Sequence, residues 1–134
     1  VPLPDDIFLK KMIILMKPRV EKINDFYYSC KYFYSDPESY DAKGISKHWN
    51  EKIKPVFNEY FEELKNGPPE IDTNKTESTL RTFCEKKNIK PGELIHIIRI
   101  ILTGSIASPG IFELMETLGK DTIVRRIEKF LDIN

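Results

Sequence analysis

Residues 92–126 read GELIHIIRIILTGSIASPGIFELMETLGKDTIVRR, and what this stretch forms decides the rest. Its first part places Leu94, Ile95, Ile97, Ile98, Ile100, Ile101 and Leu102 around nearly the whole circumference of a helix. A helix that is apolar on all sides is a buried one, so the other helices are expected to pack around it. The polar exceptions fall in line. Gly92, His96, Arg99 and Thr103 stand four, three and four residues apart, which makes one stripe on one face. A guanidinium on such a helix is costly unless it is paired or reaches something polar, and this singles out Arg99.

The stripe runs into a short loop, residues 104–108, and Pro109 opens the next helix. Ser108 suits the N-cap and Pro109 the first helical position, which leaves the amides of Gly110, Ile111 and Phe112 pointing out of the helix start. Such an end attracts oxygen acceptors. An arginine-bearing stripe, a glycine loop and an open helix start together make a candidate recognition corner. The plainer alternative is a buried helix with a satisfied arginine and a capped turn.

Working outward, residues 4–16 read as a helix with a mixed apolar face, broken by Pro18. A second helix over 19–34 carries Val20, Ile23, Tyr27, Cys30 and Tyr34 at steps of three and four. Its aromatic cluster, Phe26, Tyr27, Tyr28, Tyr32, Phe33 and Tyr34, suits base stacking in principle, but such stripes usually face a core. Ser35, Asp36 and Pro37 mark a turn, and a polar loop continues to Gly44. A third helical region covers 46–65 with Trp49, Ile53, Val56, Phe57, Tyr60, Phe61 and Leu64 on one side; Pro55 either kinks it or separates two shorter helices near Lys54.

The stretch 67–74, between Asn66 and Lys75, has Gly67 and two prolines and reads as a linker, dividing a first subdomain, 1–66, from a second, 75–134. Asn74 to Glu77 suit a capping box for a helix through Lys87, on which Arg81 stands four residues from both Glu77 and Glu85. Asp121 or Thr122 is expected to cap a last helix with Ile123, Val124, Ile127, Phe130 and Leu131 inward and Arg125, Arg126 and Lys129 outward. No strand pattern competes. The fold class is therefore all-α, about seven helices joined by short loops.

Composition narrows the function. Hydrophobic residues make up 40% and charged ones 31% of 134 residues, with zero net charge, so the chain is globular and has no bulk attraction to nucleic acid or membrane. Four of the five arginines (Arg81, Arg99, Arg125, Arg126) follow the linker; arginine suits planar contacts with bases and phosphates, so the second half is the expected reader. Cys30 and Cys84, far apart and without companion ligands, read as small core hydrophobes of a reducing compartment. There is no GxGxxG and no P-loop. His48 and His96 lack metal or triad spacing, and no carboxylate is isolated in an apolar setting. Neither a catalytic residue nor a metal site is expected.

The run over 90–120, in particular GELIHIIRIILTGSIASPGIFELMETLGK, followed by RRIEKFL and preceded by YSCKYFYSDPESYDAK, resembles the C-terminal anticodon-binding region of bacterial glutamyl-tRNA synthetase across residues 13–131. The resemblance implies a two-part helical cage gripping the anticodon loop of tRNA(Glu), acting as a cytoplasmic monomer. It also implies that ATP and glutamate chemistry belong to a catalytic domain upstream, whose HIGH and KMSKS signatures are absent here. The fragment is thus expected to need no cofactor and to aminoacylate nothing by itself, and Val1, not Met, fits a piece of a longer chain. By the same resemblance, anticodon contacts fall on Arg81, Arg99, Ser108, Pro109 and Ile111. A further contact, bearing on whether tRNA(Gln) is also charged, falls on Asn24. Single-stranded loops are read by bases splayed onto flat or apolar groups and hydrogen-bonded at their edges, which suits arginine planes, backbone amides and an apolar tip such as Ile111.

Two readings of other classes stand beside this one. A helix-turn-helix DNA binder using the helix after Pro109 would present Glu113 and Glu116 where phosphates need cations. A helical protein-interaction module would use the aromatic first half.

Overall fold

The structure, a computed structural model, describes residues 6–16 and 30–134. Among them lie seven α-helices and one 3-10 turn, and no strand. The helices are α1 (Asp6–Met16), α2 (Ala42–His48), α3 (Ile53–Asn66), α4 (Thr73–Lys87), α5 (Pro91–Thr103), α6 (Ile111–Leu118) and α7 (Lys120–Ile133); the 3-10 turn is Lys31–Phe33. Most of the helix expected over 19–34, with Asn24 and the aromatics Phe26, Tyr27 and Tyr28, lies outside the described residues. Within the described part of that stretch, Lys31–Phe33 form the 3-10 turn, with Cys30 and Phe33 buried, so Phe33 belongs to the core.

The all-apolar helix is the hub. α5 packs against α2, α3, α4, α6 and α7, and Leu94, Ile97, Ile98, Ile100, Ile101 and Leu102 are fully buried. Removing one such side chain to alanine costs roughly 2–5 kcal/mol. Buried residues from both sides of the 67–74 stretch, among them Phe57, Tyr60, Leu80, Ile98 and Phe130, join in one hydrophobic cluster. Gly44 of α2 lets that helix lie close against α5, because a Cβ there would come 2.6 Å from Ile100 Cδ1. Trp49 packs edge-on against both Phe57 and Phe130, and Tyr40 against Phe130, which ties the 40–50 region to α7.

Several boundaries differ from the sequence reading, each for a local reason. The polar loop ends earlier, since Asp41 caps α2 by accepting from the Gly44 amide at 2.7 Å, and Gly44 is helical. The third region is two helices, but they part at 49–52. Asn50 Oδ1 accepts from the amides of Lys52 and Ile53 there, and Pro55 falls in the first turn of α3, where a missing N–H costs no helix bond. α4 starts at Thr73 with Asp72 as its cap, accepting from Lys75 N at 2.8 Å, so Asn74 is inside the helix. Gly119 at φ 85° ends α6 and opens α7 without a side-chain cap, in place of Asp121 or Thr122. No helix among the described residues is long and apolar enough to cross a membrane.

Candidate nucleic-acid interface

The polar stripe of α5 ends at the loop as its spacing requires. Arg99 Nε donates to Ser108 Oγ at 2.8 Å, so the half-buried guanidinium is oriented at the loop between α5 and α6. Thr103 organises the turn below it: its hydroxyl donates to Arg99 O at 2.8 Å and accepts from Ser105 N at 3.1 Å. Gly104, at φ 80°, closes α5 with its amide on Ile100 O. Ser105, Ile106 and Ala107 are exposed beyond it. His96, one step back on the stripe, stacks on His48 of α2 with ring centroids 4.5 Å apart. Burial of His48, then the charges of His96 and Lys47, hold its pKa below the ordinary histidine value.

The helix start differs from the expectation. α6 begins at Ile111 with Gly110 as its N-cap, two residues later than Ser108 and Pro109 suggested. Ser108 does not cap because its hydroxyl is used twice elsewhere, accepting from Arg99 and donating to Pro109 O at 2.8 Å. The helix start is not open either. Glu113, in its first turn, folds its carboxylate back over Gly110, where an added Cβ would overlap it. A carboxylate there favours the helix dipole and repels phosphate, so the corner offers oriented donors and apolar surface to a base edge more readily than a cradle to a backbone.

Ile111 is only 3% exposed and Pro109 is buried, so Ile111 is not an apolar tip; its side chain belongs to the core. The exposed apolar residue at this corner is Ile106, 58% accessible and lying over Gly44. Sequence reading passed over it, although a lone isoleucine in a loop of Gly, Ser and Ala was the available signal. Arg81 stands on α4 and pairs with Glu77 along its own helix, Nε to Oε2 at 2.9 Å, both half exposed; Glu85 is not its partner. Asn24 lies outside the described residues.

Arg126 corrects another expectation. It does not face outward with Arg125 and Lys129 but is 2% exposed, the largest fully buried side chain among the described residues. Its Nε donates to Asp36 Oδ1 at 3.0 Å, Nη1 to Leu102 O at 2.6 Å and Nη2 to Ser35 O at 3.2 Å. Asp36 also takes both ends of Arg125, at 2.8 and 3.2 Å, and lies 3.9 Å from Lys129 Nζ. Hydrogen bonds and charge from Arg125, together with Arg126, outweigh burial and hold its carboxyl well below the usual range, at about 2.

With this geometry in hand, the comparisons decide the family. The anticodon binding domain family model matches residues 2–131. The chain belongs to that family. It is 34% identical over 131 residues to a glutamate-tRNA ligase of Chlorobium phaeobacteroides, covering 98% of this chain and 26% of the relative. A glutamate-tRNA ligase of Prosthecochloris aestuarii is 35% identical over 127 residues, with coverages of 95% and 25%. The fold superposes on a crystal structure of a glutamate tRNA ligase from Elizabethkingia meningosepticum in complex with its amino acid at a TM-score of 0.88 and 27% identity, over 97% of this chain and 26% of that one. Elizabethkingia anophelis glutamate-tRNA synthetase gives a TM-score of 0.83 at 26% identity, with coverages of 97% and 25%. This anticodon-binding chain therefore spans about a quarter of the length of the relatives it matches.

Proposed function

We propose that this chain is the tRNA(Glu) anticodon-loop recognition part of a glutamate-tRNA ligase, working as a cytoplasmic monomer in which ATP and glutamate are handled by a catalytic domain outside these residues. The observation that carries the reading is the 2.8 Å bond from Arg99 to Ser108, which fixes a guanidinium plane beside the exposed loop of the second half. An arginine so oriented, with loop amides and Ile106 beside it, has the chemistry that reads unstacked bases: edge hydrogen bonds, a flat cation and apolar surface.

In this reading Arg99 and Ser108 meet an anticodon base directly, and Pro109 and Ile111 act from behind, Pro109 through the carbonyl that takes the Ser108 hydroxyl and Ile111 through its buried side chain. Arg81 joins by leaving its exposed pair with Glu77, a small loss of roughly 0.3–0.5 kcal/mol for a pair of this kind. Asn24 bears on the last anticodon base. The 1–66 part braces the 75–134 part, across the 67–74 linker, rather than reading.

The test is a fluorescence titration of the chain with stem-loops carrying the anticodons CUC or UUC against hairpins of unrelated loop sequence. The expected result is a clear preference for the first set, with affinity falling as salt rises because phosphate contacts release counterions. Equal binding of every hairpin would refute the reading.

A further inference from the structure

The structure assigns Arg126, held by Asp36, a positioning role: it fixes the last turn of α5 so that Arg99 meets Ser108. This inference rests on the anticodon-reading proposal for what the corner does, but its geometry stands apart from it.

Leu102 O is one of the four carbonyls at the end of α5 that the helix itself leaves without a partner. A buried guanidinium takes it at 2.6 Å, and a cation at a helix C-terminus is also favoured by the helix dipole. The same guanidinium reaches Asp36 and Ser35 O, so one side chain from α7 joins the 35–36 turn to α5. Two further contacts continue the seam. Asp41 N donates to Gly104 O at 2.9 Å, and Gly104 passes so close to Ser39 that a Cβ would come 2.7 Å from its carbonyl oxygen. On the other side, Arg99 O accepts from the Thr103 hydroxyl and Ile100 O from the Gly104 amide. The backbone from Leu102 to Gly104 is thus pinned between the 35–41 segment and the stripe that carries Arg99.

The alignment of Arg99 with Ser108 depends on where this turn ends. Ser108 follows only four residues after Gly104, and the loop between them is exposed. Releasing Leu102 O lets the last turn fray and shifts the start of that loop. Asp36 sets the state of the staple, since without its charge Arg126 is a buried cation with only carbonyl partners.

The experiment uses Asp36→Asn in this chain, with helicity confirmed by circular dichroism, and reads two things. One is the side-chain Nε–H resonance of Arg99 by NMR; the other is the preference for CUC or UUC stem-loops over loops with those bases replaced. The expected result is a shifted, faster-exchanging Arg99 signal and about a tenfold loss of preference, with little further loss when Arg99→Ala is added, because both act on one contact. Arg125→Ala, which removes an exposed partner of Asp36 and leaves Arg126 in place, is expected to leave both readouts unchanged.

An unmoved Arg99 signal with unchanged preference, or losses that simply add, would overturn the inference. Should Asp36→Asn fail to fold, Asp36→Glu, which keeps the charge one methylene further out, is read in the same way. Failure of both to fold would also overturn it, by making the staple a requirement of the whole core. If the unaltered chain shows no preference among loops, the anticodon reading fails, while the Arg99 signal still decides the positioning role.

Discussion

Arg126 and Arg99 both converge on the end of α5, and they are held in opposite ways. Arg126 is sealed in, closed by a carboxylate and two carbonyls, and its partners come from 90 and 24 residues away. Arg99 is half-buried on the hub helix itself and is oriented by a neutral hydroxyl nine residues on. The contrast separates two uses of one side chain. A guanidinium closed off by a carboxylate and carbonyls at full burial becomes part of the fold, whereas one bonded to a hydroxyl beside an exposed loop stays at the boundary with solvent. In the proposed reading, the arginine at the recognition corner is thus supported by one that lies wholly inside the fold.

The comparison breaks most visibly at Asp36. Asp36→Ala leaves Arg126 as a buried, uncompensated charge and is expected to cost about 3–5 kcal/mol in urea unfolding. Adding Arg126→Met should recover part of that loss, because the stranded charge is gone; a double variant worse than the single would show that the pair is not what holds the seam. Acid tests the same contact more gently. The Asp36 carboxyl is held at about 2 in the folded chain, below its unfolded value near 3.8. Its contribution, on the order of 2 kcal/mol, is therefore complete above about pH 5 and lost as the pH falls toward 2. Stability measured between these limits should show that slope, and Asp36→Asn should lack it.

The other arginine should behave differently. Arg99→Ala is expected to change stability by less than about 1 kcal/mol, since the side chain is half-buried and its bond to Ser108 is to a neutral hydroxyl. A loss as large as that at Asp36 would place Arg99 in the same class as Arg126. The smallest effect belongs to the histidine stack above the stripe. By NMR, His48 should titrate below the ordinary value of 6.5, and His96→Gln should bring it back only in part, because burial outranks the neighbouring charge among the causes.

These two arginines also show how far the sequence could be read. The hub helix was legible because seven large aliphatics around one circumference leave only a narrow polar stripe, and the fold class followed from helical spacing along the chain with no competing strand pattern. The Arg99–Ser108 contact was legible because both ends of a short loop fix where its residues meet. Arg126 was not. The inward face of α7 is drawn by Ile123, Ile127 and Phe130, and the residue beside Ile127 becomes buried only because an aspartate 90 positions earlier supplies a charge. Nothing local announces such a partner, beyond an acid in the turn at Ser35, Asp36 and Pro37. The helix start was misplaced for a similar reason: Ser108 has cap chemistry, but Arg99 competes for its hydroxyl and Gly110 takes the cap. Ile111 went inside with that shift, and Ile106 was left as the exposed apolar group.

The most direct measurement of the central claim is the affinity of the unaltered chain and of Arg99→Ala for a CUC stem-loop and for one with its anticodon bases replaced, at a single salt concentration. The account predicts that Arg99→Ala weakens the CUC complex by about 1–3 kcal/mol and leaves the replaced loop nearly unaffected, so that the preference collapses. An Arg99→Ala chain that keeps its fold and its full preference would contradict it.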